Sequence, residues 1–577
     1  MGRYWTLLGR YLKPQWPRVL LLAVLLMTHI SLRLLNPQMM RLFIDTATTG
    51  GELEALIRIA LIFLALAVVD QGVAIASTYL GEQVAWTATN ALRLDLTLHC
   101  LKLDPSFHKA HAPGELIERI DGDVNALSNF FSRMVIYVLG NGVLLVGILA
   151  LLFREDPRVG AGLTLFATLA LWVLIRFRAI AVPYWAEVRR QTADFYGFVG
   201  ERLGGSEEIR ANGAQRYVMR RFYEIARRWL PVQIKARVAS NAMWMANIAI
   251  YAIGSAVVFV LGAHLWRAGA ITIGTVYLIL HYTELLLFPI IQIRAQIADL
   301  QQAEASMARV RALFETSSRL RDGTGGYLPQ GALPVCFRGV SFAYDKGEAV
   351  LREVTFQLQP GRVLGLLGRT GSGKTTLARL LLRLCDPSAG EIRLGGMATT
   401  AARLGDIRRR VGLVTQDVQL FQATVRDNVT LYDSSVSDGQ IVAVLDDLGL
   451  SGWLRALPDG LDTELQAGGR DLSAGQAQLL ALARIFLADP GLVVLDEASS
   501  RLDPATERLV ERAVDRLLEG RTGIVIAHRL ATVRRADEIL ILEGGQIVEH
   551  GERAALASDP ESRFYHLLRT GLEEVLA

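Results

Sequence analysis

The stretch that decides the fold lies at residues 363–376 and reads Val-Leu-Gly-Leu-Leu-Gly-Arg-Thr-Gly-Ser-Gly-Lys-Thr-Thr. Its beginning has the apolar character of a buried strand, and an apolar helical pattern follows the glycines, from Thr376 to Leu384. Glycines allow backbone N–H groups to converge on phosphate oxygens, and a helix N-terminus attracts negative charge. A strand, a glycine-rich loop and a helix in this order are typical of a P-loop that binds ATP.

Each position of this loop is a candidate ligand of the nucleotide. Lys374 is expected to contact the β- and γ-phosphates, and the Thr375 hydroxyl is expected to bind Mg²⁺. The loop alone fits a kinase or a helicase equally well. The residues assigned to ATP in this stretch are Gly368, Arg369, Thr370, Gly371, Ser372, Gly373, Lys374, Thr375 and Thr376.

A second acidic element lies downstream of the P-loop. The run Leu492-Val-Val-Leu-Asp496 indicates a buried strand that ends in a carboxylate, the form of a Walker B aspartate that holds Mg²⁺. Glu497 follows immediately, where a carboxylate can polarise the attacking water. A charge at a helix N-terminus or on the surface is the structural alternative for Glu497.

The pattern of the chain changes near residues 315–333. This stretch lacks apolar periodicity and carries Gly323-Thr-Gly-Gly and Pro329. From Val335 onward, short strands and then alternating strands and helices are indicated, which predicts an α/β domain. We therefore divide the chain into residues 1–315, a linker at 316–334 and an ATPase domain at 335–577.

The first region contains apolar runs that are each about as long as the ~20 residues needed to cross hydrocarbon. They lie near 19–35, 57–80, 131–153, 160–180, 242–264 and 271–293. Hydrophobic residues make up 51% of the 577-residue chain and charged residues 20%, a mixture that fits a bilayer part joined to a water-soluble part. The predicted fold class is a multidomain membrane protein, in which an all-α six-helix transmembrane domain with an elbow helix precedes an α/β P-loop ATPase domain.

Loop charge predicts the orientation of these spans. The segment after the second span, 93–119, is long and rich in charge, and the one after the fourth span, 176–237, is longer and has many arginines, whereas the segments after the first and fifth spans are short. By the positive-inside rule, the N-terminus and the ATPase domain are cytoplasmic and the protein is multi-pass in the plasma membrane. The net charge of +4 does not call for a nucleic-acid partner, and we expect none.

The run Leu472-Ser-Ala-Gly-Gln476, shortly before Asp496, narrows the class of ATPase. Together with the Walker elements it resembles the ABC transporter family, whose signature reads LSGGQ. The order of six spans and then an ATPase domain resembles the exporter-type half-transporters, and the resemblance covers the whole chain. It implies that the cofactors are ATP and Mg²⁺.

The resemblance assigns roles to further residues. It implies that Tyr344 stacks on adenine, that Gln416 senses Mg²⁺ and the membrane domain, and that His528 contacts the γ-phosphate. Asp503 matches the D-loop and is assigned to the nucleotide. The catalytic set is then Glu497, His528 and Gln416, and the metal set is Thr375, Gln416 and Asp496. A core aromatic, a loop polar residue and a helix-start histidine remain the structural alternatives for Tyr344, Gln416 and His528.

The family sandwiches two nucleotides between two ATPase domains, so the resemblance implies that one chain holds half of each site. Ser473, Gly475 and Gln476 would then contact the ATP bound by a partner chain. Ala474 departs from the family's glycine. We interpret this position as a close approach of backbone to phosphate that requires a positive φ, which alanine tolerates poorly. This interpretation favours a heterodimer with a second half-transporter over a homodimer.

The transmembrane half carries weaker signals. Helix breaks at 104–105, 113–114 and 204–205 predict turns, and segments 104–112 and 204–214 match the family's cytoplasmic coupling helices. Ordinary loops are the alternative. The polar residues inside the spans either line a substrate path or form structural pairs, and they are His29, Arg33, Asp70, His281 and Glu284.

The leading functional hypothesis is ATP-driven export of lipophilic or amphipathic small molecules or peptides. An importer of metal chelates or siderophores on the same fold is the first alternative. An ATP-gated membrane regulator is a second one, and steady hydrolysis of ATP would argue against it. A soluble ATPase acting on DNA or ribosomes is the third, and the predicted spans argue against it.

Overall fold

The computed structural model describes residues 9–133, 138–344, 347–415, 418–496, 504–527 and 533–570. The chain forms two compact units. The first comprises Met1–Leu101 and Pro113–Thr316, and the second comprises Lys102–Ala112 and Ser317–Ala577. A short piece from the first third of the sequence is therefore part of the C-terminal unit.

Long helices build the first unit. A 3-10 turn at Lys13–Gln15 precedes the first long helix, and residues 1–8, which contain part of the region of the predicted elbow helix, lie outside the described residues. In chain order the α-helices up to residue 315 are α1 (Trp16–Thr48), α2 (Leu53–Lys102), α3 (Pro105–Ala110), α4 (Pro113–Ile117), α5 (Asp123–Arg133), α6 (Asn141–Glu155), α7 (Pro157–Gly204), α8 (Ser206–Ala211), α9 (Gln215–Arg267) and α10 (Ile273–Glu315). Of these, α3 lies in the second unit.

Several of these helices can cross a bilayer. Within the described ranges, the stretches that are long and apolar enough to do so are Gly9–Thr48, Leu53–Lys102, Val138–Glu155 and Gln215–Arg267. Shorter apolar stretches, Pro157–Val173 and Ile273–Leu286, begin the long helices α7 and α10. Many apolar side chains of the long helices are largely exposed, with values of 58% for Leu64, 72% for Leu165 and 70% for Val260. Such a surface is suited to lipid, and a helix can face lipid because its backbone N–H and C=O groups bond one another.

Apolar packing and a buried tyrosine join α1, α6, α7 and α10. Ile30, Ile148 and Leu278 belong to one buried cluster. Tyr282 of α10 is fully buried, donates from Oη to the carbonyl oxygen of Leu34 at 2.8 Å, and accepts from Nε2 of Gln38 at 3.1 Å. A buried hydroxyl needs such partners in apolar surroundings, so this pair of bonds fixes the register between α1 and α10.

The second unit contains two sheets. A four-stranded antiparallel sheet has the order β2-β1-β4-β5, and a six-stranded sheet has the order β10-β9-β3-β8-β7-β6. In the larger sheet β9, β3, β8, β7 and β6 are parallel, and β10 pairs antiparallel at the edge. The strands are β1 (Val335–Ala343), β2 (Ala349–Leu358), β3 (Val363–Leu367), β4 (Ala389–Leu394), β5 (Met397–Ala398), β6 (Val411–Val414), β7 (Leu492–Asp496), β8 (Thr522–Ile526), β9 (Glu538–Glu543) and β10 (Gln546–Glu552).

The second unit also contains helices, several of which pack against the larger sheet. They are α11 (Lys374–Leu381), α12 (Leu404–Arg410), α13 (Val425–Thr430), α14 (Asp438–Asp447), α15 (Ser451–Ala456), α16 (Ala474–Ala488), α17 (Pro504–Leu518), α18 (Arg553–Ser558) and α19 (Arg563–Thr570). All residues of β3 and β8 are buried, as expected for parallel strands covered on both faces. In such open sheets ligands bind beyond the carboxyl ends of the strands, where β3 enters the glycine-rich loop.

Candidate functional site

The loop between β3 and α11 has a backbone that only glycine adopts readily. Gly368, Gly371 and Gly373 have φ values of +147°, +84° and +106°. A Cβ atom on Gly368 would lie 2.3 Å from the carbonyl oxygen of Leu542, and one on Gly373 would lie 2.6 Å from Cδ2 of Leu351. Both the dihedral angles and the space therefore require glycine, which leaves the loop free to present its backbone N–H groups.

Lys374 begins α11 with its side chain folded over the loop. It is 6% exposed, and its ammonium donates to the carbonyl oxygens of Gly368 and Arg369, the latter at 3.0 Å. An ammonium is costly to bury unless it is paired, so this placement points to a function in the loop. Arg369 and Thr370 are exposed at the tip, and Ser372 and Thr376 are buried beside it.

The hydroxyl of Ser372 supplies a test of whether the loop fits phosphate. Ser372 is 5% exposed, and its Oγ has no hydrogen-bond partner among the residues that the structure describes. Buried polar atoms are nearly always paired in native structures, so a hydroxyl left unpaired inside a glycine-rich loop is suited to bonding a ligand oxygen. The residues present therefore fit the phosphates of a nucleotide.

Thr375 and Asp496 bring the two Walker elements together. The Thr375 hydroxyl donates to Oδ2 of Asp496 at 3.4 Å, although the two residues are 121 positions apart in the chain. Asp496 is the last residue of β7, whose neighbours in the sheet are β6 and β8. A hydroxyl oxygen beside a carboxylate is a donor set that suits Mg²⁺, which takes few protein ligands in addition to phosphate oxygens.

Tyr344 forms another wall of the site. Its Oη lies 3.2 Å from Oγ1 of Thr376 and accepts from Nη1 of Arg379 at 3.2 Å, and its ring meets Phe342 edge-on at 4.8 Å. A cavity of about 290 Å³ runs between Tyr344, Thr375 and Asp496. Cys385 also lines this cavity, where burial raises the pKa of its thiol to about 11, so the thiol is neutral at physiological pH.

The signature residues lie at the start of α16. Ser473 is the N-cap: its Oγ accepts from the backbone N–H of Gln476 at 3.2 Å, and its own N–H donates to Oε1 of Gln476 at 2.9 Å. This reciprocal pair is a capping box. Ser473 and Ala474 are exposed, whereas Gly475 is buried.

One sequence interpretation of the signature is wrong. We expected position 474 to need a positive φ, but Ala474 is the first helical residue of α16 and is not among the described residues with a left-handed backbone. A helix begun by a serine cap keeps ordinary α dihedrals at its first position, so alanine carries no backbone strain there. The methyl group of Ala474 still lies on the exposed rim of the helix end.

Four of the predicted site residues, Gln416, Glu497, Asp503 and His528, lie outside the described residues. Their assignments stay predictions. The described strands β6, β7 and β8 are adjacent and parallel, and they end at Val414, Asp496 and Ile526.

Polar residues of the spans form two separate groups in the first unit. Nδ1 of His29 lies 2.7 Å from Oδ1 of Asp70, beside a cavity of about 210 Å³ that Arg33 also lines. His281 and Glu284 are 3.9 Å apart, and Tyr251 of α9 donates to Glu284. The second group therefore ties α9 to α10, in agreement with the structural alternative for that pair.

Sequence reasoning missed two residues at the nucleotide cavity. Arg379 is one helical turn beyond Thr375 and bonds the hydroxyl of Tyr344, and Lys109 lies over the ring of Tyr344. The i, i+4 spacing from Thr375 could have indicated Arg379. Lys109 carries no local signal for a nucleotide site, because it reaches the cavity from a segment more than 200 residues away.

Comparisons with known proteins agree with this geometry. Residues 19–290 match the family model described as ABC transporter transmembrane region, and residues 351–500 match the model described as ABC transporter. An ATP-dependent lipid A-core flippase of Thiobacillus denitrificans is 30% identical over 96% of this chain and 96% of its own. A probable multidrug resistance ABC transporter ATP-binding/permease protein of Bacillus subtilis is 31% identical over 85% of this chain and 73% of its own.

Two further similarities extend the comparison. A fatty acid ABC transporter ATP-binding/permease protein of Mycobacterium bovis is 30% identical over 81% of this chain and 74% of its own. The solved structure of a bacterial Atm1-family ABC exporter with ATP bound superposes with a TM-score of 0.79 at 22% identity, over 96% of this chain and 98% of that one. The likeness confirms the predicted fold class of a helical transmembrane domain followed by an α/β ATPase domain.

Proposed function

This chain belongs to the ABC transporter family, and we propose that it is an exporter subunit of the plasma membrane that works with a second half-transporter. The chain is a multi-pass membrane protein with an ATP-binding domain, and its ATPase activity is coupled to transport. The observation that carries the proposal is the bond between Thr375 and Asp496, which joins the two Walker elements at a glycine-rich loop that also holds Lys374 and the unpaired hydroxyl of Ser372. Such a cradle is built for the phosphates of ATP.

The described residues divide the work of binding. Lys374 and the loop N–H groups, with the hydroxyl of Ser372, bind the phosphates, while Tyr344 provides a flat face for the base. Thr375 and Asp496 would hold Mg²⁺, together with Gln416, and the ion would neutralise charge on the phosphate oxygens. Two further roles rest on the sequence: Glu497 orients and deprotonates the attacking water, and His528 contacts the γ-phosphate. Asp503 belongs to the same nucleotide set.

A dimer completes the site. Half-transporters of this family work in pairs, and we propose that Ser473, Gly475 and Gln476 contact ATP held by the partner's P-loop. The N-terminus of α16 suits that role, because Ser473 and Ala474 are exposed there and a helix N-terminus favours negative charge. The methyl group of Ala474 stands on the same rim, and for that reason we favour a heterodimer whose partner supplies an unsubstituted signature.

The transported molecule is proposed to be lipophilic or amphipathic. Among the relatives, one is named for lipid A-core and another for fatty acids, both amphipathic, and a third for multidrug resistance. The proposed organisation is a transmembrane domain at 1–315, a linker at 316–334 and an ATPase domain at 335–577, with the N-terminus and the ATPase domain cytoplasmic. Segments 104–112 and 204–214 would transmit closure of the ATPase domains to the spans, a rigid-body mechanism.

Replacing the proposed general base tests this function. In Glu497→Gln, ATP hydrolysis by the reconstituted transporter is expected to fall by more than about 100-fold while ATP binding persists, because a positioned base contributes about 10²–10⁴. Glu519→Gln, an exposed carboxylate after α17, is the matched control and should keep full activity. ATP-dependent accumulation of an amphipathic fluorescent dye in inside-out vesicles should disappear only in the first variant. Unchanged hydrolysis in Glu497→Gln, or accumulation only in right-side-out vesicles, would contradict the proposal.

A further inference from the structure

A lysine covers the aromatic face that the base of ATP needs. Nζ of Lys109 lies 4.5 Å from the centroid of the Tyr344 ring, within the range of a cation–π interaction. Lys109 lines the same cavity of about 290 Å³ as Tyr344, Thr375 and Asp496. An adenine ring stacked on Tyr344 from that cavity would occupy the space of the ammonium, because stacked rings also lie a few ångströms apart.

The ring of Tyr344 has little freedom to offer another face. Its hydroxyl is within 3.2 Å of both Thr376 and Arg379, which belong to the P-loop helix α11. Its ring and that of Phe342, which is 6% exposed, are perpendicular with centroids 4.8 Å apart. Contacts of its hydroxyl with α11 and of its ring with Phe342 of β1 therefore hold the tyrosine in place. A base that stacks on this ring from the cavity must displace Lys109.

Lys109 is delivered by a preformed element. Asp104 caps α3 by accepting from the N–H groups of Ser106 at 3.1 Å and Phe107 at 3.3 Å, and its second oxygen accepts from the N–H of Arg319 at 2.9 Å. Burial acts to raise the pKa of Asp104, but these bonds outweigh it and the pKa lies below its usual value. Asp104 thus stays ionised and anchors α3 to the segment that follows α10.

The other end of this element is also ordered by local contacts. Phe107 and His111 stack with ring centroids 4.3 Å apart, and Nδ1 of His111 lies 3.0 Å from the carbonyl oxygen of Phe107. Segment 102–112 clusters with the ATPase domain rather than with the helices that flank it in sequence. A change at Lys109 can therefore be passed along α3 as one rigid turn.

From this juxtaposition we infer that Lys109 competes with the base of ATP for the face of Tyr344, so that ATP binding displaces Lys109 and frees α3 from the nucleotide site. The inference rests on the proposed function, because it takes ATP as the ligand of the P-loop. It also makes the competition specific for a base: a triphosphate without a base reaches the P-loop and leaves Lys109 on Tyr344. The position of Lys109 thereby distinguishes ATP from a triphosphate without a base, and Lys109 lies in a segment that follows α2 directly in the chain.

A double-mutant cycle on the full-length chain tests the competition. Dissociation constants of ATP and of inorganic tripolyphosphate are measured for the wild type, Lys109→Met, Tyr344→Ala and the double variant. Loss of the lysine charge weakens the attraction of the phosphates in both ligands. The ratio of the two dissociation constants therefore reports only the contribution of the base to ATP binding. Lys109→Met should shift this ratio in favour of ATP by about two- to fivefold, the range of an exposed cation–π contact. In the Tyr344→Ala background the same substitution should leave the ratio unchanged.

Lys109→Arg is the matched control. It keeps a cation that can lie on the ring, so its ratio should equal that of the wild type. The inference is overturned if Lys109→Met leaves the preference for ATP over tripolyphosphate unchanged or reduces it. It is also overturned if Lys109→Met changes this preference equally with Tyr344 present and with Tyr344 replaced by alanine. Failure of the wild type to bind ATP at all would instead overturn the proposed function, so the two failures are distinguishable.

Discussion

The P-loop helix α11 and the signature helix α16 are both proposed to direct an N-terminus at phosphate, but they build that N-terminus by different means. The P-loop depends on three glycines with left-handed backbone angles, two of which leave no room for a Cβ atom. The signature depends on a capping box between Ser473 and Gln476, in which position 474 has ordinary helical geometry. The P-loop tolerates no side chain at Gly368 or Gly373, whereas the signature tolerates an extra methyl group at position 474 without strain in its own chain.

Because of this difference, substitutions in the two regions are expected to affect different properties of the protein. A change in the P-loop acts within the chain, on its backbone and on its own ATP. In the proposed dimer, a change at the signature rim acts on a ligand held by the partner chain, so we expect its effect on hydrolysis only in the dimer. Substitutions in the two regions can separate these two kinds of effect.

Removing the Walker B carboxylate should give the largest effect. Asp496→Asn leaves the Thr375 hydroxyl without its charged neighbour, and hydrolysis is expected to fall by more than about 100-fold because metal stabilisation of transition-state charge is worth several kcal/mol. ATP affinity should then become independent of added Mg²⁺. Asp489→Asn is the control: Asp489 is exposed and left-handed, a conformation that asparagine accepts. Retention of Mg²⁺-dependent binding in Asp496→Asn would contradict the assignment.

A methyl group in the P-loop should have the next largest effect. Gly373→Ala forces a Cβ atom to 2.6 Å from Leu351 at a φ of +106°, and backbone strain of this kind costs about 1–3 kcal/mol. We expect ATP affinity of the chain to weaken about 10- to 100-fold, measured by equilibrium binding. Gly439→Ala, in the helix α14 with open space around it, should bind ATP as the wild type does. Equal affinities for Gly373→Ala and the wild type would remove the conformational argument.

Cap removal separates stability from function at the signature. Ser473→Ala and Ser437→Ala each delete a serine that pairs with a glutamine three residues later, at α16 and α14. Each should cost about 1 kcal/mol and lower the unfolding midpoint by about 2–4 °C. Only Ser473→Ala should also reduce hydrolysis in the dimer, by about tenfold, because it loses a hydrogen bond to a charged group. A similar loss of hydrolysis in both variants would show that the effect is one of stability.

The sequence could predict the P-loop in detail because its requirements are local. Glycine spacing, the preceding strand and the following helix all stand within residues 363–384, and the structure has β3 and α11 there. The apolar runs likewise predicted the helices, since a bilayer imposes both length and composition. The capping box of Ser473 and Gln476 was also readable, as a serine with a glutamine three positions later.

Contacts between distant segments could not be predicted in the same way. The bond of Thr375 to Asp496 follows from a known motif, but Arg379 on Tyr344 depends on how α11 turns against β1. The inclusion of 102–112 in the second unit, and with it Lys109, depends on tertiary packing that overrides chain order. The backbone at Ala474 was misjudged because a family comparison gives residue identity and not dihedral angles.

The rate of ATP hydrolysis by the purified chain alone, compared with that of Ala474→Gly, tests the account most directly. The chain has an intact P-loop, and its signature is hindered only by the methyl group of Ala474, so the chain alone should hydrolyse ATP slowly. Ala474→Gly should raise the rate of hydrolysis about fivefold or more, because it relieves overpacking by one methyl group. A chain that forms a fully active dimer by itself, at a rate that Ala474→Gly leaves unchanged, would contradict the unequal roles of the two regions.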